Sequence, residues 1–310
     1  MRLGLKLLQR LLGFAIVFFG VTFIIYFTVF SLPGDPIRAL AGDRQLPQGV
    51  IDALNARYLL DQPLWVQYTN YIGNLLSGDL GVDLRGRSVA DQLASRWPVT
   101  ITLALTAWTI QIILGLAVGI VSALKRGTII DRGLLVISIG LSCIPVFVLG
   151  ITAQIVFGVR LDWLPVAGIR EGWPLAYLLP SLVIALFGLA SVSRLVRGSM
   201  IENLEADYVR TARAKGISES RVVGLHVMRN SLIPTATFLA TDLGFLLGGA
   251  VVIEGIFNLP GVGNLLFLAI RDHEATMVVG ISTALIIIFL LTSLIVDALH
   301  ALLDPRIRRA

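Results

Sequence analysis

Six stretches of the chain are apolar almost without interruption: residues 11–32, 99–124, 134–157, 176–195, 232–253 and 276–299. Each approaches the roughly 20 residues that a helix needs to cross about 30 Å of hydrocarbon. The pattern predicts an all-α membrane protein with six transmembrane helices. Between the first two runs lies the one sizeable polar segment, residues 33–98. Within it Val50, Ile51, Leu54 and Tyr58 recur at helical spacing, as do Trp65, Tyr68, Ile72, Leu75 and Leu76 after Pro63, so two short amphipathic helices are expected. Gly78-Asp79-Leu80-Gly81 reads as a turn, and Ser88 with Asp91 as a capping box before a third short helix. The expected layout is a tail and first helix over 1–32, this helical segment over 33–98, a five-helix core over 99–303 and a tail over 304–310.

The longest charged passage inside the core lies within residues 196–231. Asp207 is placed to cap a helix that carries Arg210, Arg213 and Lys215 toward its negative end and stops at Gly216. Ser218 then reads as a second cap, with Ile217 and Val222 spaced as a hydrophobic staple. Two short helices joined at a glycine, set between membrane segments, are a candidate docking handle for a soluble partner, the plainer reading being a positive-inside loop near anionic lipid.

Composition fits the pattern. Hydrophobic residues make up 56% and charged residues 15% of the chain, against roughly a quarter charged in soluble domains. The net charge of +5 is spread in a way that argues against nucleic acid: with the N-terminus inside, Lys and Arg gather in the loops on that side, including 196–231. This is the positive-inside asymmetry, and an even helix count puts both termini in the cytoplasm and segment 33–98 outside. The basic start followed by an apolar run resembles an export signal, with Ala39-Leu40-Ala41 as a cleavage site. Signal cores run about 7–15 residues, so a retained first membrane helix is expected.

Several chemistries lack their residues. Cys143 is the only cysteine, and the three histidines are far apart in sequence, so no metal site is expected. No phosphate-binding G-x-x-x-x-G-K-[ST] loop occurs, nor any H-E-x-x-H or G-x-S-x-G. The chain reads as no enzyme and as unable to hydrolyse ATP alone.

Polar groups inside apolar runs are costly and mark candidate paths. Asp242 is the foremost; it either fixes packing through an interhelical bond or lines a water-filled path. Gln111, Gln154 and Ser142 are further candidates. Small residues four apart, Gly115 with Gly119 and Gly244 with Gly248, predict close helix packing. Pro145 and Pro180 either kink or start their helices. Trp65, Tyr68, Glu254 and Asn258 are candidates for an extracytoplasmic gate or partner contact, and Pro260-Gly261-Val262-Gly263 reads as a turn.

The charged passage resembles the coupling loop of ABC importer permeases, whose general motif is Glu-Ala-Ala, three residues, then Gly. Ala212 and Gly216 match it; Arg210 and Thr211 stand where Glu-Ala would. Tyr208-Val209-Arg210-Thr211-Ala212-Arg213-Ala214-Lys215-Gly216 is close to the wording of the peptide and nickel branch. Other signatures of that branch follow in order: Pro33-Gly34-Asp35-Pro36, Leu60-Asp61-Gln62-Pro63-Leu64 with Val66-Gln67-Tyr68, Gly78-Asp79-Leu80-Gly81, Glu254-Gly255-Ile256-Phe257 with Pro260-Gly261-Val262-Gly263, and Leu303-Asp304-Pro305-Arg306-Ile307-Arg308. Together they resemble the B-type permease subunits of dipeptide and oligopeptide importers. The resemblance implies a second homologous permease, two ATPase subunits and an extracytoplasmic substrate-binding protein, in a bacterial or archaeal cell membrane. It implies that Glu205, Asp207, Tyr208, Arg210, Thr211, Ala212, Arg213, Lys215 and Gly216 couple to the ATPase. Nickel, heme or another small solute is the alternative cargo, and an ATP-independent secondary transporter the alternative class; the inverted repeats and broken helices of the latter are not evident in the sequence.

Overall fold

The computed structural model describes residues 2–30, 47–59, 61–83, 85–247 and 250–303. The Pro33-Gly34-Asp35-Pro36 signature, Gly248 and the 304–310 tail lie outside them. The described chain is helical, with an isolated bridge between Val82 and Ser88 as its one extended pairing. It forms two compact units, Met1–Thr100 with Pro260–Leu291, and Ile101–Leu259 with Thr292–Ala310.

In the first unit, α1 (Arg2–Phe30) is followed by α2 (Gln48–Tyr58) and α3 (Leu64–Leu76). Both short helices were expected. Pro47 and Pro63 stand just before them, where a missing N–H costs nothing. The apolar face of α3 is spent on α1: Tyr68 Oη donates to Phe19 O at 3.1 Å, lies 2.9 Å from Thr22 Oγ1, and its ring meets Phe23 edge-on. Tyr71 Oη donates to Thr283 Oγ1 at 2.7 Å, and burial pushes this hydroxyl up to about 12, so it stays a donor.

The 78–81 turn forms, with Gly81 N donating to Asp79 Oδ1 at 2.8 Å. It rests where Gly280 lacks a side chain: a Cβ there would lie 2.6 Å from Leu80 O. Asp83 then organises the turn that follows, accepting from Arg85 N (2.9 Å), Arg87 N (2.8 Å) and Arg87 Nε (2.7 Å). Burial opposes its charge, but these bonds outweigh it and hold the carboxyl below the usual carboxylate range. Asp91 N donates to Ser88 Oγ at 3.4 Å, so the capping signal is real, but the helix it opens is not short. It runs unbroken as α4 (Val89–Leu124), 36 residues with Pro98 inside. Nothing between Val89 and Pro98 favours a turn, and although an interior proline removes one N–H and crowds the carbonyl four residues back, the helix carries through it here.

The second unit is built around α7 (Leu175–Leu204), the most deeply buried of the long apolar helices. Before it come α5 (Ile129–Cys143) and α6 (Val146–Ala153), the latter widening into a π turn over Gln154–Arg160. After it come α8 (Asp207–Ala214), α9 (Glu219–Arg221), a π turn over Val222–Val227, α10 (Met228–Leu247) and α11 (Val251–Ile256). For Gly115 and Gly119 the glycine prediction holds: a Cβ on Gly115 would lie 2.5 Å from Val192 Cγ1, and one on Gly119 would lie 2.8 Å from Ser193 O. Beyond Leu175 and Leu178 in its first turn, α7 leaves a narrow stripe exposed, Phe187, Ser191, Arg194, Gly198 and Glu202.

Further expectations are corrected. The third apolar run is not one straight helix; α5 and α6 meet at 98°. Ile144 is extended ahead of Pro145, as a residue before proline prefers to be, and Pro145 starts α6. Pro180, by contrast, lies inside α7. The Pro260–Gly263 cluster is a turn only in part, because Gly261 caps α12 (Val262–Arg271), a helix of the first unit that precedes α13 (Ala275–Leu303). Among the described residues, four helices are long and apolar enough to cross a membrane (Leu12–Phe30, Val89–Leu124, Leu175–Leu204 and Ala275–Val296), or five if the bent pair is one span. The fifth run is divided between α10 and α11, so six continuous spans are not seen among these residues.

Gly119→Leu is expected to lower the thermal unfolding temperature in detergent, with an overpacking cost of roughly 1–3 kcal/mol, while Gly20→Ala, whose Cβ meets open space, leaves it unchanged. An unaltered melting curve for Gly119→Leu would refute the close approach. The Asp83 turn gains stability from its charge above the ordinary carboxylate value of about 3.9 and loses it as the pH falls through the lower folded-state value. At pH 7, Asp83→Asn is expected to speed trypsin cleavage after Arg85 and Arg87 severalfold; equal rates would show that the charge does not hold the turn.

Candidate functional site

The charged passage folds into a seated amphipathic helix. Val209 and Ala212, one turn apart, are buried in a cluster with Val196, Met200, Val222 and Val227. The other faces of α8 stay open: Tyr208, Arg210, Thr211, Arg213 and Lys215 are exposed. Asp207 is not the cap. Ala206 holds that position in extended conformation, and the Asp207 carboxylate, 97% exposed, lies 3.4 Å from Arg210 Nη1.

The helix stops as the glycine predicted. Gly216 takes φ +76°, its N–H donates to Arg213 O at 2.9 Å, and Ile217 N donates to Ala212 O at 3.3 Å. These are the two bonds of a Schellman stop, and Ile217 packs on the same core as Ala212. Ser218 occupies the next cap position without a side-chain bond; its carbonyl accepts from Arg221 N and Val222 N. Arg213 forks across the glycine onto Glu219, Nε to Oε2 at 3.0 Å and Nη2 to Oε1 at 2.6 Å. That donation holds the Glu219 carboxyl below its ordinary value. Between Asp207 and Arg221 stand Arg210, Arg213, Lys215 and Arg221 against Asp207 and Glu219, so the exposed surface is net positive.

Two side chains tie this helix back to its unit. Tyr208 Oη donates to Asn203 Oδ1 at 2.6 Å, and Glu205 accepts from Arg126 Nη1 at 2.5 Å. Ala212, at 7% exposure, belongs to the core and presents nothing outward.

Sequence reasoning missed one cluster. Asp131, buried in the first turn of α5, accepts from Arg197 Nε at 2.8 Å, Arg197 Nη2 at 2.9 Å, Gly127 N at 2.9 Å and Ser122 Oγ. The available signal was local: Gly127-Thr128 followed by Asp131 is a turn and a cap, and Asp131 N does donate to Thr128 Oγ1. Nothing in the sequence pairs it with Arg197, 66 residues on. Removing one partner of a buried pair costs roughly 3–5 kcal/mol.

The path candidates do not form one site. Gln111 is buried and donates through Nε2 to Asp242 Oδ2 at 2.8 Å; Gly188 makes room for its amide, where a Cβ would come within 2.6 Å. Trp108 Nε1 donates to Leu239 O nearby in sequence on the same two helices. Gln154 Nε2 serves two backbone carbonyls, Val166 O at 2.7 Å and Ile256 O at 3.0 Å, and so fastens α6 to α11. Ser142 Oγ donates to Phe187 O at 2.9 Å. Of the gate candidates, Trp65 is 67% exposed and Asn258 is exposed, whereas Tyr68 is tied to α1 and Glu254 is fully buried.

Comparison with known proteins agrees over almost the whole length. A family model described as binding-protein-dependent transport system inner membrane component matches residues 115–309, and one for the N-terminal part of such membrane components matches residues 5–104. The glutathione transport system permease protein GsiC of Escherichia coli (strain K12) is 39% identical over 302 residues, covering 97% of this chain and 98% of its own. GsiC of Shigella dysenteriae serotype 1 (strain Sd197) matches equally. Among solved structures, an inward-facing form of the MetNI methionine ABC transporter aligns with a TM-score of 0.52 at 18% identity, covering 67% of this chain and 95% of that one. At that identity the likeness concerns fold alone.

Proposed function

The chain belongs to the family of binding-protein-dependent transport system inner membrane components, and from that membership we propose how its segments divide the work. It is a permease subunit of an ABC importer, a multi-pass protein of a bacterial inner membrane. The exposed face of α8 with the Gly216 turn is the surface that meets an ATPase subunit. The observation that carries this is the division of α8: Val209 and Ala212 root it in the core while Arg210, Thr211 and Lys215 are left outside on a net positive surface. A helix held this way transmits a push instead of bending under it.

The remaining assignments follow from the same reading. ATP and Mg belong to two partner ATPases, and a second homologous permease completes a path between the two permeases. Six crossings with both termini in the cytoplasm agree with the distribution of Lys and Arg, the bent α5–α6 pair and α10 with α11 each serving as one crossing. Residues 33–98 then form the extracytoplasmic segment, 99–303 the core with its coupling segment at 196–231, and 304–310 a cytoplasmic tail. Trp65 and Asn258 have surface to offer a substrate-binding protein. The cargo is a dipeptide or oligopeptide; relatives named for glutathione, itself a tripeptide, support that class. Asp242, half-buried beside Gln111, lines the path.

In the assembled transporter, Gly216→Pro or the pair Arg210→Glu and Arg213→Glu is expected to abolish uptake and ATPase stimulation while the subunit still folds. ATPases that copurify undiminished with the charge-reversed protein would remove α8 as their docking site. Asp242→Asn is expected to change the rate of peptide uptake at least severalfold; a rate equal to the parent's with every peptide tried would leave Asp242 a packing residue.

A further inference from the structure

The Asp131 carboxylate accepts two hydrogen bonds on each oxygen: Ser122 Oγ and Arg197 Nε on Oδ1, Gly127 N and Arg197 Nη2 on Oδ2. Those donors come from the last turn of α4, the loop after it, and α7, while Asp131 itself begins α5. Three helices therefore meet on one carboxylate. Arg197 lies seven residues ahead of the end of α7, about 10 Å along the axis, and its neighbour Val196 shares a core with Val209 and Ala212 of α8. Apolar packing between helices is non-directional and permits sliding; a two-toothed guanidinium–carboxylate contact fixes both distance and orientation. The element it fixes, α5, runs straight to the 98° break at Ile144–Pro145.

We propose that Asp131 and Arg197 are positioning residues that lock the start of α5 to α7, so that displacement of the coupling segment is passed to α5 and the break at its far end. The proposal rests on the reading of α8 as the ATPase-docking surface. Cys143, the last residue of α5, is exposed and is the only cysteine of the chain, so it reports on that end directly.

The test uses the complex with its ATPases and follows alkylation of Cys143 by a maleimide, read on this chain by mass spectrometry, without nucleotide and with ATP trapped by vanadate. In the parent complex the labelling rate is expected to change at least fivefold between the two states. In Asp131→Asn, with ATPases still copurifying, the change is expected to fall below twofold. Arg197→Lys, which keeps the charge and loses the fork, is expected to give a change between these, and stands in if the asparagine variant does not assemble. A parent-sized change in either variant overturns the proposal, as does a parent complex whose Cys143 rate is indifferent to nucleotide. Failure of the docking reading looks different: ATPases would stay bound when Arg210 and Arg213 are reversed, whatever Cys143 does.

Discussion

A polar group inside hydrocarbon must find its partner within the protein, and in this chain that demand decides where helices touch. Gln111 reaches Asp242, Gln154 serves two carbonyls and Ser142 serves another; just ahead of the third apolar run, Asp131 accepts four hydrogen bonds. Several of these contacts join segments distant in sequence: Gln111 and Asp242 are 131 residues apart, Asp131 and Arg197 are 66. Apolar burial alone would leave the helices of a bundle free to rotate about their axes, because lipid is as apolar as leucine. The polar contacts remove that freedom, and the glycines at 115, 119 and 188 set how closely the backbones come.

Much of this was legible in the chain. The apolar runs place the long helices, the glycines at 115 and 119 announce a close helix approach without naming its partner, and Gly216 marks the end of α8 because left-handed backbone excludes most side chains there. Local signals failed where a longer-range balance decided. Ser88 does cap a helix, but nothing local says that the helix will carry on through Pro98 for 36 residues. Pro145 could have been a kink or a start, and only the extended conformation of Ile144 shows that the run divides.

The charged passage illustrates the same split between local and distant information. Its helix, its stop and its amphipathic pattern follow from adjacent residues, so its shape could be read directly. Its attachment could not. Val209 and Ala212 look like ordinary members of a basic motif until Met200, Val222 and Val227 close over them. Likewise Arg197 looks like one more inside cation, and it is Asp131 that turns it into a fixed joint. Residues that match a family motif therefore divide into those that hold the helix in place and those that remain outside.

The exposed stripe of α7 bears on how the chain comes to exist in a cell. Ser191, Arg194 and Gly198 lie along it, and the Arg194 guanidinium donates to Ala190 O of its own helix. A newly inserted copy standing alone would turn a hydroxyl and a cation toward lipid, which is costly until water or another polypeptide covers them. The stripe therefore marks the side of α7 whose polar groups call for cover, by water or by another polypeptide, before the helix can rest in the bilayer without that cost.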